Sequence, residues 1–239
     1  MYSWRTIRTF CVVLLCLPLV HLAYLASRDV LATLDSSPDA WLHEVEAYAD
    51  ADRQATLPEK PIVVLGGRRV RLWDGLDAML APRPVLMRGV GDATIEDITH
   101  HYERLAAFYN PSAVVFLPSG SEFHIRDSKS ETDFMEALLE LAALDAEHGK
   151  GRPLVLFAPI KTPLRPGDHE KFKVISGRMA EWAAGDPRIT VINANPLLAS
   201  ADGGPNAAFF RPDGSSLNEA GYARLALLLQ RALSPHNPS

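Results

Sequence analysis

The sequence predicts a three-layer α/β/α sandwich around a central parallel sheet of about five strands, and two observations carry that prediction. Short apolar runs recur at 62–66 (IVVLG), 85–88 (VLMR), 113–118 (AVVFLP), 154–159 (LVLFAP) and 189–194 (ITVINA). Between them lie segments of helical periodicity, long enough for the crossovers that a parallel sheet covered on both faces requires.

Taken in order, the chain opens with an apolar segment at 9–26, TFCVVLLCLPLVHLAYLA, about the length needed to cross a hydrocarbon core. Pro18 and His21 weaken it as a helix, and Arg5 and Arg8 precede it, which suits a cytoplasmic amino terminus. The alternative is a cleaved signal peptide and a secreted product. A cleavage site wants small residues at two positions, yet near Ala26 one of them falls on Tyr24 or Leu25. The preferred reading is an uncleaved anchor at 1–30, with the domain outside the cytoplasm. Both cysteines, Cys11 and Cys16, lie in this segment, so neither staples the rest of the chain.

An amphipathic helix and linker follow at 31–60, with Ser37 as N-cap, Pro38 at the first helical position, and Trp41, Val45 and Tyr48 on one face. The main domain spans 61–233. Its helices are read at 94–109 (TIEDITHHYERLAAFY), 131–149 (ETDFMEALLELAALDAEHG), 168–184 (DHEKFKVISGRMAEWAA) and 217–233 (LNEAGYARLALLLQRAL), before a flexible tail at 234–239.

A formal net charge of −5, with Lys and Arg dispersed and outnumbered, gives no electrostatic case for nucleic acid. No pair of histidines has a metal-ligand spacing such as HExxH, so no metal is expected, and nothing calls for a cofactor. His100 and His101 read as surface residues of the helix at 94–109. His124, in SEFHIRD, is the histidine expected near a cleft.

In a doubly covered parallel sheet, ligands bind at the carboxyl ends of the strands. Four segments there carry recognisable text: GGRRVRLWDGL from Gly66, RGVGDATIED from Arg88, FLPSGSE from Phe116 and FFRPDGSSLNEAGY from Phe209. In this order and spacing they resemble the SGNH/GDSL hydrolases, which have a flavodoxin-like architecture, and specifically the branch similar to platelet-activating-factor acetylhydrolase. There the blocks read GSSSIRLW, NRGFGGS, AGDND and FRPDGLHLNAAGY. The resemblance runs from about Trp41 to Leu233, and FFRPDGSSLNEAGY is its most specific part.

Matched position by position, the resemblance implies a site that has lost its chemistry. Arg68 stands where the family has its nucleophilic serine, and Asp92 replaces the oxyanion-hole glycine. Ser121 replaces the third-block asparagine, with Ser119 at the preceding glycine, and Ser216 replaces the general-base histidine. Of the catalytic positions only Asp213, the orienting partner of the base, is retained. Acyl transfer needs an oxygen nucleophile, an imidazole to take its proton and donors aimed at the oxyanion. An arginine can neither attack nor accept a proton, and a carboxylate at Asp92 repels the charge the site must stabilise.

Two functional classes follow. In one, a membrane-held, catalytically degenerate domain binds an anion or a partner's carboxylate at the old cleft, through Arg68 with Asp92, Ser119, Ser121, His124 and Asp213 around it. In the other, an esterase works through an unrelated constellation such as Ser121 or Ser216 with His124. Each residue also has a structural reading: Arg68 and Arg69 as a solvated turn, Asp92 as the cap of the helix starting near Thr94, and Asp213 as a PDG turn residue. A guanidinium in the old nucleophile position needs an acceptor, so Arg68 is expected to pair with Asp92 or Asp213.

Overall fold

The computed structural model describes residues 4–34, 37–124 and 127–234, apart from several side chains of the first helix. Five parallel strands form one sheet: β1 (Ile62–Gly66), β2 (Val85–Gly89), β3 (Ala113–Leu117), β4 (Leu154–Phe157) and β5 (Ile189–Ile192), in the order β2-β1-β3-β4-β5. The strand order reverses direction after β1, which stands between β2 and β3 with Gly66 opposite both Gly89 and Leu117. Three strand ends therefore finish level, and the loops that follow them meet.

The helices are α1 (Trp4–Leu34), α2 (Leu42–Asp52), α3 (Arg68–Arg71), α4 (Leu76–Leu80), α5 (Ile95–His100), α6 (Tyr102–Leu105), α7 (Glu131–His148), α8 (His169–Ala183) and α9 (Glu219–Leu233). Successive strand residues face opposite sides, so the sheet carries two cores. Val63, Leu65, Val114 and Phe116 pack with residues of α2, α5, α7 and α8, whereas Val64, Val115, Leu117 and Phe157 pack with Val70 of α3, Leu76 of α4 and Leu225 of α9. This is the three-layer sandwich that the strand and helix pattern predicts.

Three local expectations change. The periodic segment 94–109 is not one helix: α5 gives way to α6 at His101 and then to a 3-10 turn at Ala107–Tyr109. His101 is consequently buried, with Nε2 at 2.9 Å from the Pro38 carbonyl, and is not a surface residue. Asp92 does not cap α5, because Thr94 and Asp97 form that capping box themselves.

Residues before β1 are fastened to the sheet. The Trp41 Nε1–H donates to Asp97 at 3.1 Å, the Gly91 amide donates to Glu44 at 2.9 Å, and the Tyr48 hydroxyl donates to the Gly89 carbonyl at 2.8 Å. Arg88 of β2 reaches Asp52 of α2 at 2.8 Å, its guanidinium 4.7 Å from the centre of the Tyr48 ring and 4.6 Å from that of Tyr109. Among the described residues no helix is long and apolar enough to cross a membrane. The expected span at 9–26 falls partly on side chains outside that set, and the tail beyond Ser234 lies wholly outside it.

Beside the third loop, Glu122 is fully buried and bonded to Lys129 at 2.8 Å, and Lys129 also meets Glu96 and Asp127. Burial dominates over the lysine's attraction and pushes the Glu122 carboxyl up to about 8. Between its ordinary 4.5 and about 8 the native chain keeps a proton that the unfolded chain has released, so this group lowers stability as pH rises across that window. Glu122→Gln should flatten that decline. Melting temperatures of the two proteins at pH 5 and pH 8.5 check it, and parallel declines would refute it.

Candidate active-site cleft

Gly66 ends β1 with φ +152°, and a Cβ there would lie 2.3 Å from the Leu117 carbonyl oxygen. Only glycine fits, and the chain turns directly into α3. That turn lifts Arg68 above the sheet, against the loop after β2. Its Nε and Nη2 donate to the two carboxylate oxygens of Asp92 at 3.1 and 3.0 Å, a two-pronged pair. The expected choice between Asp92 and Asp213 thus falls on Asp92.

The pair is open to water on the arginine side, with side-chain exposures of 64% for Arg68 and 16% for Asp92. Solvent screening therefore limits its worth, and Arg68→Ala should cost under about 1 kcal/mol in chemical denaturation. A loss above about 2 kcal/mol would show that the pair carries the loop.

Asp213 serves its own loop. Its Oδ1 accepts the Ser215 and Ser216 amides at 2.9 and 2.8 Å. Burial works against its charge, but those amides outweigh it and hold the carboxyl below the usual aspartate range. Ser119 and Ser121 are buried; the Ser119 hydroxyl accepts the Ser121 amide at 3.0 Å and donates to the Ser121 hydroxyl at 3.0 Å.

A cleft of about 320 Å³ joins these groups, lined by Arg68, Asp92, Ser119, Ser121, His124, Asp213 and Ser216. All seven site candidates meet in one place. The walls also contain residues that the sequence reading passed over. Thr162, Arg165 and Asp168 come from the loop after β4, and Asp168 binds His124 Nε2 at 2.6 Å. Their signal was available in the sequence, since this loop also leaves the carboxyl end of a strand.

The reading of Arg68 and Arg69 as a solvated turn fails for Arg69, which the backbone turns inward. Although adjacent to exposed Arg68, it is 8% exposed and points under the third loop, where Nη1 donates to the Pro118 carbonyl at 3.0 Å. Desolvation lowers its pKa, with only the Tyr222 phenol opposing that effect. Among the described residues His124 is bonded to Asp168, and no cleft serine is bonded to an imidazole. No group of residues there could hold a metal ion.

No family model and no curated protein matches the sequence. Solved structures do match. The chain superposes on a candidate platelet activating factor from Streptococcus pneumonia with a TM-score of 0.71 at 12% identity, over 89% of this chain and 98% of that one. A GDSL-like lipase from Bacteroides thetaiotaomicron gives a TM-score of 0.67 at 16% identity, over 79% of this chain and 96% of the other. An acylhydrolase candidate from Bacteroides fragilis gives 0.66 at 16% identity, over 79% and 95%. The fold is that of the SGNH/GDSL hydrolases. At these identities the likeness concerns the fold alone, and the SGNH/GDSL architecture places the cleft at the carboxyl edge of the sheet without deciding what happens in it.

Proposed function

We propose that this SGNH/GDSL-fold chain is a catalytically degenerate hydrolase that works as a binding or scaffolding module. The observation that carries the reading is the Arg68–Asp92 pair, which occupies the positions the resemblance gives to the nucleophile and the oxyanion glycine. A guanidinium locked onto a carboxylate supplies neither an attacking oxygen nor a free donor for a developing oxyanion. The purified chain should not hydrolyse short-chain acyl esters or acetylated sugars above background. Turnover that a serine-reactive phosphonate abolishes would overturn the reading.

A second reading, an esterase with an unrelated constellation, draws on the His124–Asp168 contact, which resembles a base held by its orienting carboxylate. It lacks a serine bonded to that imidazole in the structure described. His124→Ala separates the two, because only a working base would show lost turnover.

The same proposal holds the domain at a membrane, outside the cytoplasm, through its first thirty or so residues. Support comes from the run at 9–26, which contains no Asp, Glu, Lys or Arg. The protein should stay with membranes through a carbonate wash; a soluble product beginning near Ala26 would replace the anchor with a cleaved signal.

A further inference from the structure

Charge in the cleft is unevenly matched. Each of its carboxylates has a partner: Asp92 holds Arg68, Asp168 holds His124, and Asp213 accepts two backbone amides. Arg69 Nη1 has a neutral carbonyl, and Nη2 lies beside Gly120, where an added Cβ would sit 3.9 Å away. A guanidinium withdrawn from water without an anion is costly to hold, and its planar fork matches a carboxylate in shape.

We propose that the cleft receives a small organic monocarboxylate, with Arg69 as its charge partner and the Ser121 hydroxyl as a further donor. This rests on the reading of the cleft as a binding site and names its ligand class. Ser121 Oγ takes its hydrogen bond from Ser119, so its own proton is free to turn toward a ligand. Leu72, Ile160, Leu164 and Phe172 line the rest of the cleft, an apolar surface that suits a short hydrocarbon body. The volume of about 320 Å³ is at the small end for ligand sites. A single charge is favoured over a double one, because Arg68, Arg69 and Arg165 only balance Asp92, Asp168 and Asp213 around the same space, so a second negative charge goes uncompensated.

Calorimetric titration of the full chain in detergent tests this with acetate, butyrate, hexanoate, hexanamide and inorganic phosphate. Hexanoate should bind more tightly than acetate, and at least about tenfold more tightly than the uncharged hexanamide, since a charged partner for a buried guanidinium is being removed. Phosphate should bind more weakly than butyrate. Arg69→Gln should lower hexanoate affinity by a similar factor. The amide comparison uses the unaltered chain, so it stands even if that variant fails to fold. Equal affinity for hexanoate and hexanamide, tighter binding of phosphate, or no binding of any carboxylate would overturn the proposal. Ester turnover by the unaltered chain is read separately and overturns the non-catalytic reading, leaving the carboxylate comparison to stand or fall alone.

Discussion

Four substitutions made together, Arg68→Ser, Asp92→Gly, Ser121→Asn and Ser216→His, should raise ester hydrolysis at least about a hundredfold over Arg68→Ser alone, which should remain at background. A general base contributes roughly a hundredfold to ten-thousandfold, and one oxyanion donor roughly a hundredfold to a thousandfold. Serine by itself gains neither, because no imidazole stands at Ser216 and removal of Arg68 leaves Asp92 unneutralised in the cleft. The scaffold for the reconstruction is intact: Gly66 still makes the turn, and Asp213 still stands three residues before position 216, bonded to its amide. Initial rates on a short-chain nitrophenyl ester decide the matter. An active single mutant defeats the argument that several positions have decayed, and an inactive but folded quadruple mutant shows that the losses extend beyond them.

The second large effect concerns Gly91, one residue before Asp92. A Cβ at this position would lie 1.9 Å from the Trp41 ring, and the backbone there has φ +29°. Trp41 is 5% exposed and hydrogen-bonded to Asp97, so the ring has little room to withdraw. Gly91→Ala should therefore destabilise by about 3 to 5 kcal/mol, close to the cost of Trp41→Ala, because both lose the same buried indole. The double mutant should cost much less than the sum, since with the ring gone the added methyl meets open space. Additive losses in urea denaturation would mean that Gly91 is needed for its backbone alone.

Strand positions were legible in the sequence because buried parallel strands are apolar throughout, and the runs at 62–66 and 113–118 coincide with β1 and β3 to within a residue. The break in the helix at 94–109 was not, since its periodicity is continuous and nothing local marks the interruption at His101, whose ring meets the Pro38 carbonyl from far along the chain. The Arg68–Asp92 pair was legible as one of two choices, because a guanidinium at that turn needs an acceptor and the matched blocks put Asp92 and Asp213 around it. Arg69 was hidden for a related reason. Whether the second arginine of a turn faces water or the underside of a loop depends on where residues 118–121 lie, and no local pattern records that. Asp168 lies outside the four matching blocks, in the loop after β4, so the resemblance does not mark it.

β2 is an edge strand, and the residues before β1 act on that edge: Asp52 of α2 takes the Arg88 guanidinium, and Tyr48 takes the Gly89 carbonyl. A shortened version of the protein designed to begin at 61, where the sheet starts, would uncover that edge and leave Arg88 without its carboxylate. An uncovered strand is a template for pairing between molecules. Production of a soluble fragment thus hinges on keeping the stretch from Ser37 onward, and clumping of a shorter one would speak to the missing cover rather than to any fault in the cleft.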